Sequence, residues 1–405
     1  MNALALTSAT PSPALRGSDR ALPAVPLPLL ITGVAGVAGY NAFQYFRQQF
    51  GDQVIGIRRK DNWPLQRAGI IACDGDDRET LKRLFDQHQF RAVLNGEGTC
   101  KLKSCELDPK MAERINIESV KSLLSAMNGA TTRLVHLSID LVFSGTRDGN
   151  HLEDDPTDPV TIYGKTMAEA EQIILQAAGG GNEQKVTKEA KSEKNEGTRL
   201  PTTPNADLIL SSSLSSFPSV QIPECSSSLS AAILRISLPM GISFNGHAGA
   251  IDWIQSRFKN GRPATLYFDE IRTPTYTDCL NPLLADVLAR PDIRGLYHAG
   301  GPRRLSLFQI AQIVNRIGGY DPHLLHGCPR IDAGPLPPRA GDVTMNSSKL
   351  ARALGYQPFD PWPLSDDHLP THPLWHHESP RGSPKFLADF LYRNPRLTSN
   401  NSAMI

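Results

Sequence analysis

The sequence predicts an α/β chain: a doubly wound parallel sheet with a smaller C-terminal domain beside it. Two observations carry this. From residue 27 onward short apolar runs alternate with amphipathic stretches, the pattern of βαβ units feeding a parallel sheet. A glycine-rich turn, Thr32-Gly33-Val34-Ala35-Gly36-Val37-Ala38-Gly39, joins the first apolar run to the first amphipathic stretch, so strand, turn and helix follow in order.

The strand candidates are 28–32, 53–58, 69–73, 91–95, 132–138 and 231–237, with helices between them at 37–50, 77–88, 109–127 and 163–177. In the first helix Ala42, Phe43, Phe46 and Phe50 recur at three-to-four spacing and give one buried face. Residues 1–27, rich in Ala, Pro, Ser and Leu, read as a disordered tail. Their first basic residue, Arg16, follows the apolar stretch, which is the wrong order for a secretory signal. Residues 28–240 read as one dinucleotide-binding domain of Rossmann type, interrupted at 178–230 by an insertion that opens Gly179-Gly180-Gly181 and continues as Lys/Glu and Ser-rich stretches. Such a composition buries too little apolar surface to order itself. Residues 241–362 form the smaller domain, with the chain crossing back to the first near 270–300, and 363–405 form a C-terminal extension.

Composition excludes several classes. Among 405 residues the formal net charge is +1, which leaves no electrostatic footprint for nucleic acid or an anionic membrane surface. No stretch has the roughly 18 consecutive apolar residues of a membrane span. Six cysteines, Cys73, Cys100, Cys105, Cys225, Cys279 and Cys328, contain no C-x-x-C pair, and a reduced, cytoplasmic compartment fits them. His368, His372, His376 and His377 would suggest a metal on one helix, but Pro370 and Pro373 break such a helix, and no metal is expected.

The glycine turn is the strongest binding signal. Gly33, Gly36 and Gly39 let the backbone turn tightly and approach a pyrophosphate, which the amides of Val37, Ala38 and Gly39 meet at the positive end of the helix. Arg58 and Arg59 end the second strand, where an NAD-selective site places an acid on the ribose hydroxyls. Arginine there suits a 2′-phosphate, so NADP (NADPH) is expected ahead of NAD. Asp74, just past the third strand, is read equally as a partner of the adenine edge and as the cap of the next helix.

With these residues in view the chain resembles the extended short-chain dehydrogenase/reductase superfamily, and within it the dTDP-4-dehydrorhamnose reductases and their sugar-nucleotide-binding relatives. The likeness is carried by Cys105-Glu106-x-Asp108-Pro109 with Ala112 and Asn116, by Ser138-Ile139-Asp140-Leu141-Val142-Phe143-Ser144-Gly145, and by Glu153-Asp154-Asp155-Pro156 ahead of Tyr163-Gly164. Later landmarks are Arg272-Thr273-Pro274-Thr275, Gly301-Pro302 with Leu305-Ser306, and Arg339-x-x-Asp342. The resemblance spans roughly 28–177 and 231–356. It implies NADPH as cofactor, Asn116 on the helix lining the cofactor site, a substrate-binding role for the smaller domain, a nucleotide-sugar ligand and a homodimer.

In such reductases, the resemblance implies, a tyrosine protonates the substrate carbonyl, a lysine four residues later lowers the tyrosine pKa and holds the nicotinamide ribose, and a Ser or Thr hydroxyl holds the carbonyl oxygen. Tyr163 fits the acid and also touches the cofactor, but Met167 stands where the lysine is expected. At about 100° per residue Lys165 lies about 160° from Tyr163, on the opposite helix face. Ile139 occupies the hydroxyl position and cannot donate a hydrogen bond. Ser138 beside it is the second catalytic candidate, although neighbouring strand residues face opposite sides. Leu238, in Arg235-Ile236-Ser237-Leu238, replaces an aromatic residue that lies near the sugar in the reductases.

The resulting expectation is an NADPH-dependent reductase of a 4-keto sugar nucleotide. The alternatives are a catalytically impaired protein that binds NADP and a sugar nucleotide to regulate or scaffold a partner, and a reductase or epimerase of a different ligand.

Overall fold

The computed structural model describes residues 23–127, 132–179, 229–379 and 381–392. The expected tail before residue 23 and the expected insertion between 180 and 228 lie outside these residues.

The first half runs β1 (Leu29–Thr32), α1 (Val37–Phe50), β2 (Val54–Arg58), β3 (Ile70–Ala72), α2 (Arg78–His88), β4 (Ala92–Asn95), α3 (Leu102–Leu107), α4 (Pro109–Glu113), α5 (Ser119–Ala126), β5 (Arg133–Ile139) and α6 (Ile162–Ala177). The second runs β6 (Ala231–Ile236), β7 (Pro239–Met240), α7 (Ala250–Lys259), β8 (Ala264–Tyr267), β9 (Ile271–Arg272), β10 (Thr275–Tyr276), α8 (Thr277–Ala289), β11 (Gly295–Ala299), β12 (Leu305–Ser306), α9 (Leu307–Ile317), β13 (Leu325–Cys328), α10 (Ser348–Leu354) and α11 (Pro384–Leu391).

Seven strands form one parallel sheet in the order β11-β6-β5-β4-β1-β2-β3. Six of them match the apolar runs of the sequence. The seventh, β11, is short and half polar in its sequence, Gly-Leu-Tyr-His-Ala, which hid it from a search for apolar runs.

The inner strands are buried on both faces, because helices cover both, whereas the edge strand β3 is only partly covered. On one face Leu29, Ile31, Leu94 and Leu234 meet Tyr40, Phe43 and Phe46 of α1 and Leu280, Leu283 and Leu284 of α8. On the other Leu30, Ile57, Val93 and Leu134 meet Leu81 and Phe85 of α2, Val120 and Leu123 of α5, and Ile174 of α6. Successive strand residues thus serve opposite layers, as the pleat requires.

The strand order reverses between β1 and β4, where β1 runs on to β2 and β4 to β5 in opposite directions across the sheet. In open α/β sheets the crevice beyond the carboxyl ends at such a point is where ligands bind.

A second core gathers around α7, α9, β8 and β13, with Trp362, Trp375 and Leu387 buried in it. The C-terminal segment through α11 therefore packs on the smaller domain. Short ladders β7–β10, β9–β12 and β8–β13 tie this region together.

Candidate active site

The glycine turn lies at the β1 side of the crevice, and its three glycines do three different things. Gly33 has φ +67°, and a Cβ there would stand 2.1 Å from the Gly96 carbonyl oxygen, so β1 can close on the loop after β4 only through glycine. Gly39 lies against Gly33, where a Cβ would be 2.3 Å from its carbonyl oxygen; this is the close approach of helix to strand. Gly36 is exposed, and a Cβ on it would meet nothing nearer than 3.5 Å. The open side of that glycine is where a diphosphate can reach the backbone. Gly36 is also the N-cap of α1, whose first turn has no side-chain cap and no acidic residue. The donors at Val37, Ala38 and Gly39 thus open a helix whose positive end no side chain neutralises. These residues fit a dinucleotide.

At the end of β2, Arg58 is held by backbone carbonyls: its Nε donates to Leu65 at 2.7 Å and its Nη1 to Arg59 at 3.0 Å. Arg59 forms an ion pair with Asp61 at 3.4 Å and keeps partial exposure. Asp74 accepts from the Lys60 amide at 2.9 Å, which pins the loop after β2 to the end of β3. The reading of Asp74 as the helix cap is corrected, because Asp77 caps α2 by accepting from the Thr80 amide at 3.1 Å.

Across the crevice, beyond β4, comes a residue the sequence analysis missed. Glu97 is 6% exposed, and burial pushes its carboxyl up to about 7, with Arg59 opposing that shift. Its amide donates to Thr32 Oγ1 and Asn95 Oδ1, both at 3.2 Å. A charged residue between two glycines at the end of an apolar strand was the available signal.

Tyr163 stands in the first turn of α6, which Thr161 caps by accepting from the Gly164 amide at 2.9 Å. Glu106 accepts from the Ile162 amide at 2.7 Å, so the Cys105-Glu106 landmark anchors the start of this helix. Tyr163 is 8% exposed and its phenol is held well above its ordinary pKa of 10, first by burial and then by Cys100, Asp140 and Cys105. Arg272 is the cation that opposes this. Met167 is buried with Tyr163 in an apolar cluster that includes Cys105, Val142, Phe143 and Met345. Lys165 is exposed, on the opposite face as the helix period requires.

Asn116 lies in a π-helical turn, Arg114–Glu118, a feature frequent at functional sites. It accepts from the Thr99 amide at 2.9 Å and donates to Thr166 Oγ1 at 2.8 Å. Asn116 thereby ties the loop after β4 to α6, one residue before Met167.

The structure corrects Ser138. Its side chain is fully buried, and its hydroxyl donates at 2.5 Å to Glu171, which is paired with Arg235 at 2.7 Å. The strand has not ended at Ser138, so the pleat turns it into the sheet–helix layer, where it cannot reach a substrate. Ile139, on the other face, packs against the cluster that holds Tyr163.

Behind Tyr163 the landmark residues meet. Arg272 donates to Asp140 at 2.6 Å and to Glu270 at 2.8 Å, and Ser237 donates to Asp140 at 2.5 Å. Asp140, Glu270 and Arg272 are all buried. Arg339 reaches Glu270 at 3.8 Å, and the Asp342 amide donates to the Gly145 carbonyl at 3.1 Å. The segments 138–145, 237–238, 270–275 and 339–342 therefore form one polar seam between the sheet and the smaller domain. Leu238 lies on its far side, half-buried against the second core.

The sequence model of the RmlD substrate binding domain matches residues 27–182. A dTDP-4-keto-6-deoxy-D-glucose reductase of Streptomyces niveus is 28% identical over 36% of this chain and 46% of its own length, so the chain matches under half of that relative. A dTDP-4-dehydrorhamnose reductase of Mycolicibacterium smegmatis is 24% identical over 72% of each chain. The crystal structure of a dTDP-4-dehydrorhamnose reductase of Bacillus anthracis in complex with NADP superposes with a TM-score of 0.60, at 16% identity, over 82% of this chain and 95% of that one. A glycine turn at the switch point of a seven-stranded parallel sheet, Tyr163 opening α6 and this set of relatives agree: over residues 27–182 the chain resembles the RmlD substrate binding domain and the dTDP-4-dehydrorhamnose reductases, and its fold is the one those reductases share.

Proposed function

We propose that this protein binds NADPH at the β1–α1 turn and reduces the keto group of a sugar nucleotide of the dTDP-4-dehydrorhamnose type. The observation that carries the reading is the pairing, in one crevice, of an uncapped helix N-terminus behind Gly36 with Tyr163 at the start of α6. Arg59, and the peptide-bound Arg58, put positive charge at the end of β2, which supports NADP ahead of NAD. The relatives named for reductases of dTDP sugars support the substrate class.

NADPH, when bound behind Gly36, would supply the hydride for the keto carbon. Tyr163 gives its phenolic proton to the carbonyl oxygen as the carbonyl π bond opens, and the resulting phenolate recovers a proton from water. A phenol held well above its ordinary pKa is protonated at neutral pH but is a weaker acid than one tuned downward by a lysine, and it opposes the reverse, oxidative direction. Arg272, paired with Asp140 and Glu270, is the cation that opposes the upward shift of this phenol. The missing lysine removes tuning rather than the proton itself.

A second reading is favoured by Met167 and Ser138. Met167 fills the lysine position with an apolar side chain, and Ser138 is committed to Glu171. A protein that only binds NADP and a sugar nucleotide, and regulates or scaffolds a partner, needs neither group. NADPH oxidation with dTDP-4-dehydrorhamnose, measured beside a fluorescence titration of NADPH, separates the two. Turnover that Tyr163→Phe lowers by about 10²-fold or more, with NADPH affinity kept, supports the reductase. Tight NADPH binding with no turnover at high enzyme concentration supports the binding protein.

A further inference from the structure

Glu97 is a buried acid with no part in the reduction described above, and it stands in the crevice itself. The switch point is flanked by β1 and β4, and Glu97 is the second residue past β4. A Cβ on Gly33 would lie 2.7 Å from the Glu97 amide nitrogen, so the glycine turn rests on this residue. The Gly33 backbone favours the charged form of the Glu97 carboxyl, against the effect of burial. The side chain runs on to Gly75, where a Cβ would stand 3.1 Å from Glu97 Cγ and 3.5 Å from Cδ. Glu97 thus spans from the phosphate-binding turn to the end of β3. Together with Thr32, Ile57, Gly75 and Ser119 it lines a small cavity beneath that edge.

The charges that face it come from each neighbouring strand end. Arg59 and Asp61 follow β2, and Asp74 follows β3 with Cys73 beside it. The cations there are Arg59, shared with Asp61, and Lys60, paired with Asp77 at 3.2 Å. An ionised Glu97 would draw on the same arginine that the cofactor's adenosine end requires, and would hold a negative charge against the turn that must accept a diphosphate. Like charges brought together in a partly buried site are costly, and the side chain has no room to leave.

We propose that Glu97 couples dinucleotide binding to a proton: the carboxyl is neutral when the cofactor is bound, and an ionised Glu97 takes up a proton as the phosphates arrive. The inference rests on the cofactor reading above. Burial already places the ionisation of the free protein at about 7, so the coupling falls within the neutral range. Cys73, raised to about 12, stays outside it.

The test is a fluorescence titration of NADPH and of NADH between pH 6 and pH 9, on the wild-type protein and Glu97→Gln. For a single coupled proton, affinity falls by up to about tenfold per pH unit above the free-protein pKa. The wild type should lose at least about tenfold in affinity for either cofactor across this range, and Glu97→Gln should stay level at high pH and bind more tightly there. NADH lacks the 2′-phosphate, so a slope that appears with NADPH alone and survives in Glu97→Gln belongs to that phosphate and overturns the proposal. Weaker binding by Glu97→Gln at every pH also overturns it, since the carboxylate would then be an acceptor for the ligand. Calorimetry on the wild type alone, in buffers of different ionisation enthalpy at pH 8, gives a check that needs no variant: uptake of a fraction of a proton approaching one supports the coupling, and none refutes it. If neither protein binds either cofactor at any pH, the cofactor reading itself has failed, an outcome distinct from pH-independent binding.

Discussion

The Ser138 hydroxyl donates to the Glu171 carboxylate at 2.5 Å, and Arg235 reaches the same carboxylate with Nε at 2.9 Å and Nη2 at 2.7 Å. The three side chains are buried between β5, β6 and α6. Removing the hydroxyl leaves the ion pair in place, so Ser138→Ala should cost about 1–3 kcal/mol of stability. Removing the carboxylate strands a buried guanidinium, and Glu171→Ala should cost about 3–5 kcal/mol. Chemical denaturation reads both. NADPH affinity of Ser138→Ala should stay within about twofold of wild type, whereas a catalytic or cofactor-bound serine would show itself there or in turnover.

The glycine turn separates folding from binding within four residues. Gly33→Ala forces a Cβ into the Gly96 carbonyl at a φ of +67°, so the variant should be strongly destabilised. Gly36→Ala meets no contact under 3.5 Å and should fold with a stability change of about 1 kcal/mol or less. Its methyl group occupies the side from which the diphosphate approaches, so NADPH affinity should fall about tenfold or more. Thermal melts and NADPH titrations on the two variants distinguish the roles, and a Gly36→Ala protein with wild-type affinity would move the phosphate site elsewhere.

Met167→Lys with Ile139→Thr restores the two groups that the family pattern expects. A lysine ammonium beside Tyr163 favours the phenolate, so the tyrosine pKa should fall from its raised position. In the wild type the acid stays protonated, and kcat for reduction should be level from pH 6 to pH 9. In the double variant a falling limb should enter that range as Tyr163 ionises, with kcat higher below it by about 10²-fold. The lysine is buried among Cys105, Val142 and Phe143, so a lower melting temperature should accompany the gain. An unchanged pH profile would mean that the new ammonium does not reach the tyrosine.

Much of this architecture could be read from the chain because it is encoded locally. The run Leu29–Thr32, the three glycines and the Phe43–Phe46 face fix strand, turn and helix within one segment. The helix period alone puts Lys165 on the exposed face. What escaped was set by distant partners. Glu171 and Arg235 are separated by 64 residues, and Asp140 and Arg272 by 132, so no periodicity announces either pair. Ser138 was ambiguous because its role depended on whether β5 had ended, and β5 runs through Ile139. Glu97 was visible as a charge in an apolar context, but only the approach of Gly33 and Gly75 shows that it is enclosed.

Buried groups with opposite ionisation preferences set the pH dependence of stability. His136, fully enclosed, is pushed down to about 4 by burial, so the unfolded chain binds a proton more readily than the folded one below pH 6.5. Its contribution is complete above pH 6.5 and is lost as pH falls toward 4. His298, lowered to about 3 by burial and by Arg235, acts in the same direction. Glu97 acts in the other. With its carboxyl raised to about 7, the folded state holds the proton longer than the unfolded one, and stability present below pH 4.5 is lost as pH rises to 7. The carboxyl term amounts to roughly 3 kcal/mol at most, from about 1.4 kcal/mol per pKa unit. Between pH 4.5 and 6.5 the histidine and glutamate slopes therefore oppose each other. Glu97→Gln removes one of them. Its stability curve should rise more steeply with pH over that window than the wild-type curve, and the variant should be the more stable protein at pH 8. His136→Gln, which keeps an acceptor for the Asn95 amide at 2.9 Å, should flatten the acid side instead. Denaturant titrations at pH 5, 6.5 and 8 check this, and parallel curves for Glu97→Gln and wild type would show that Glu97 ionises in the folded protein as it does in water.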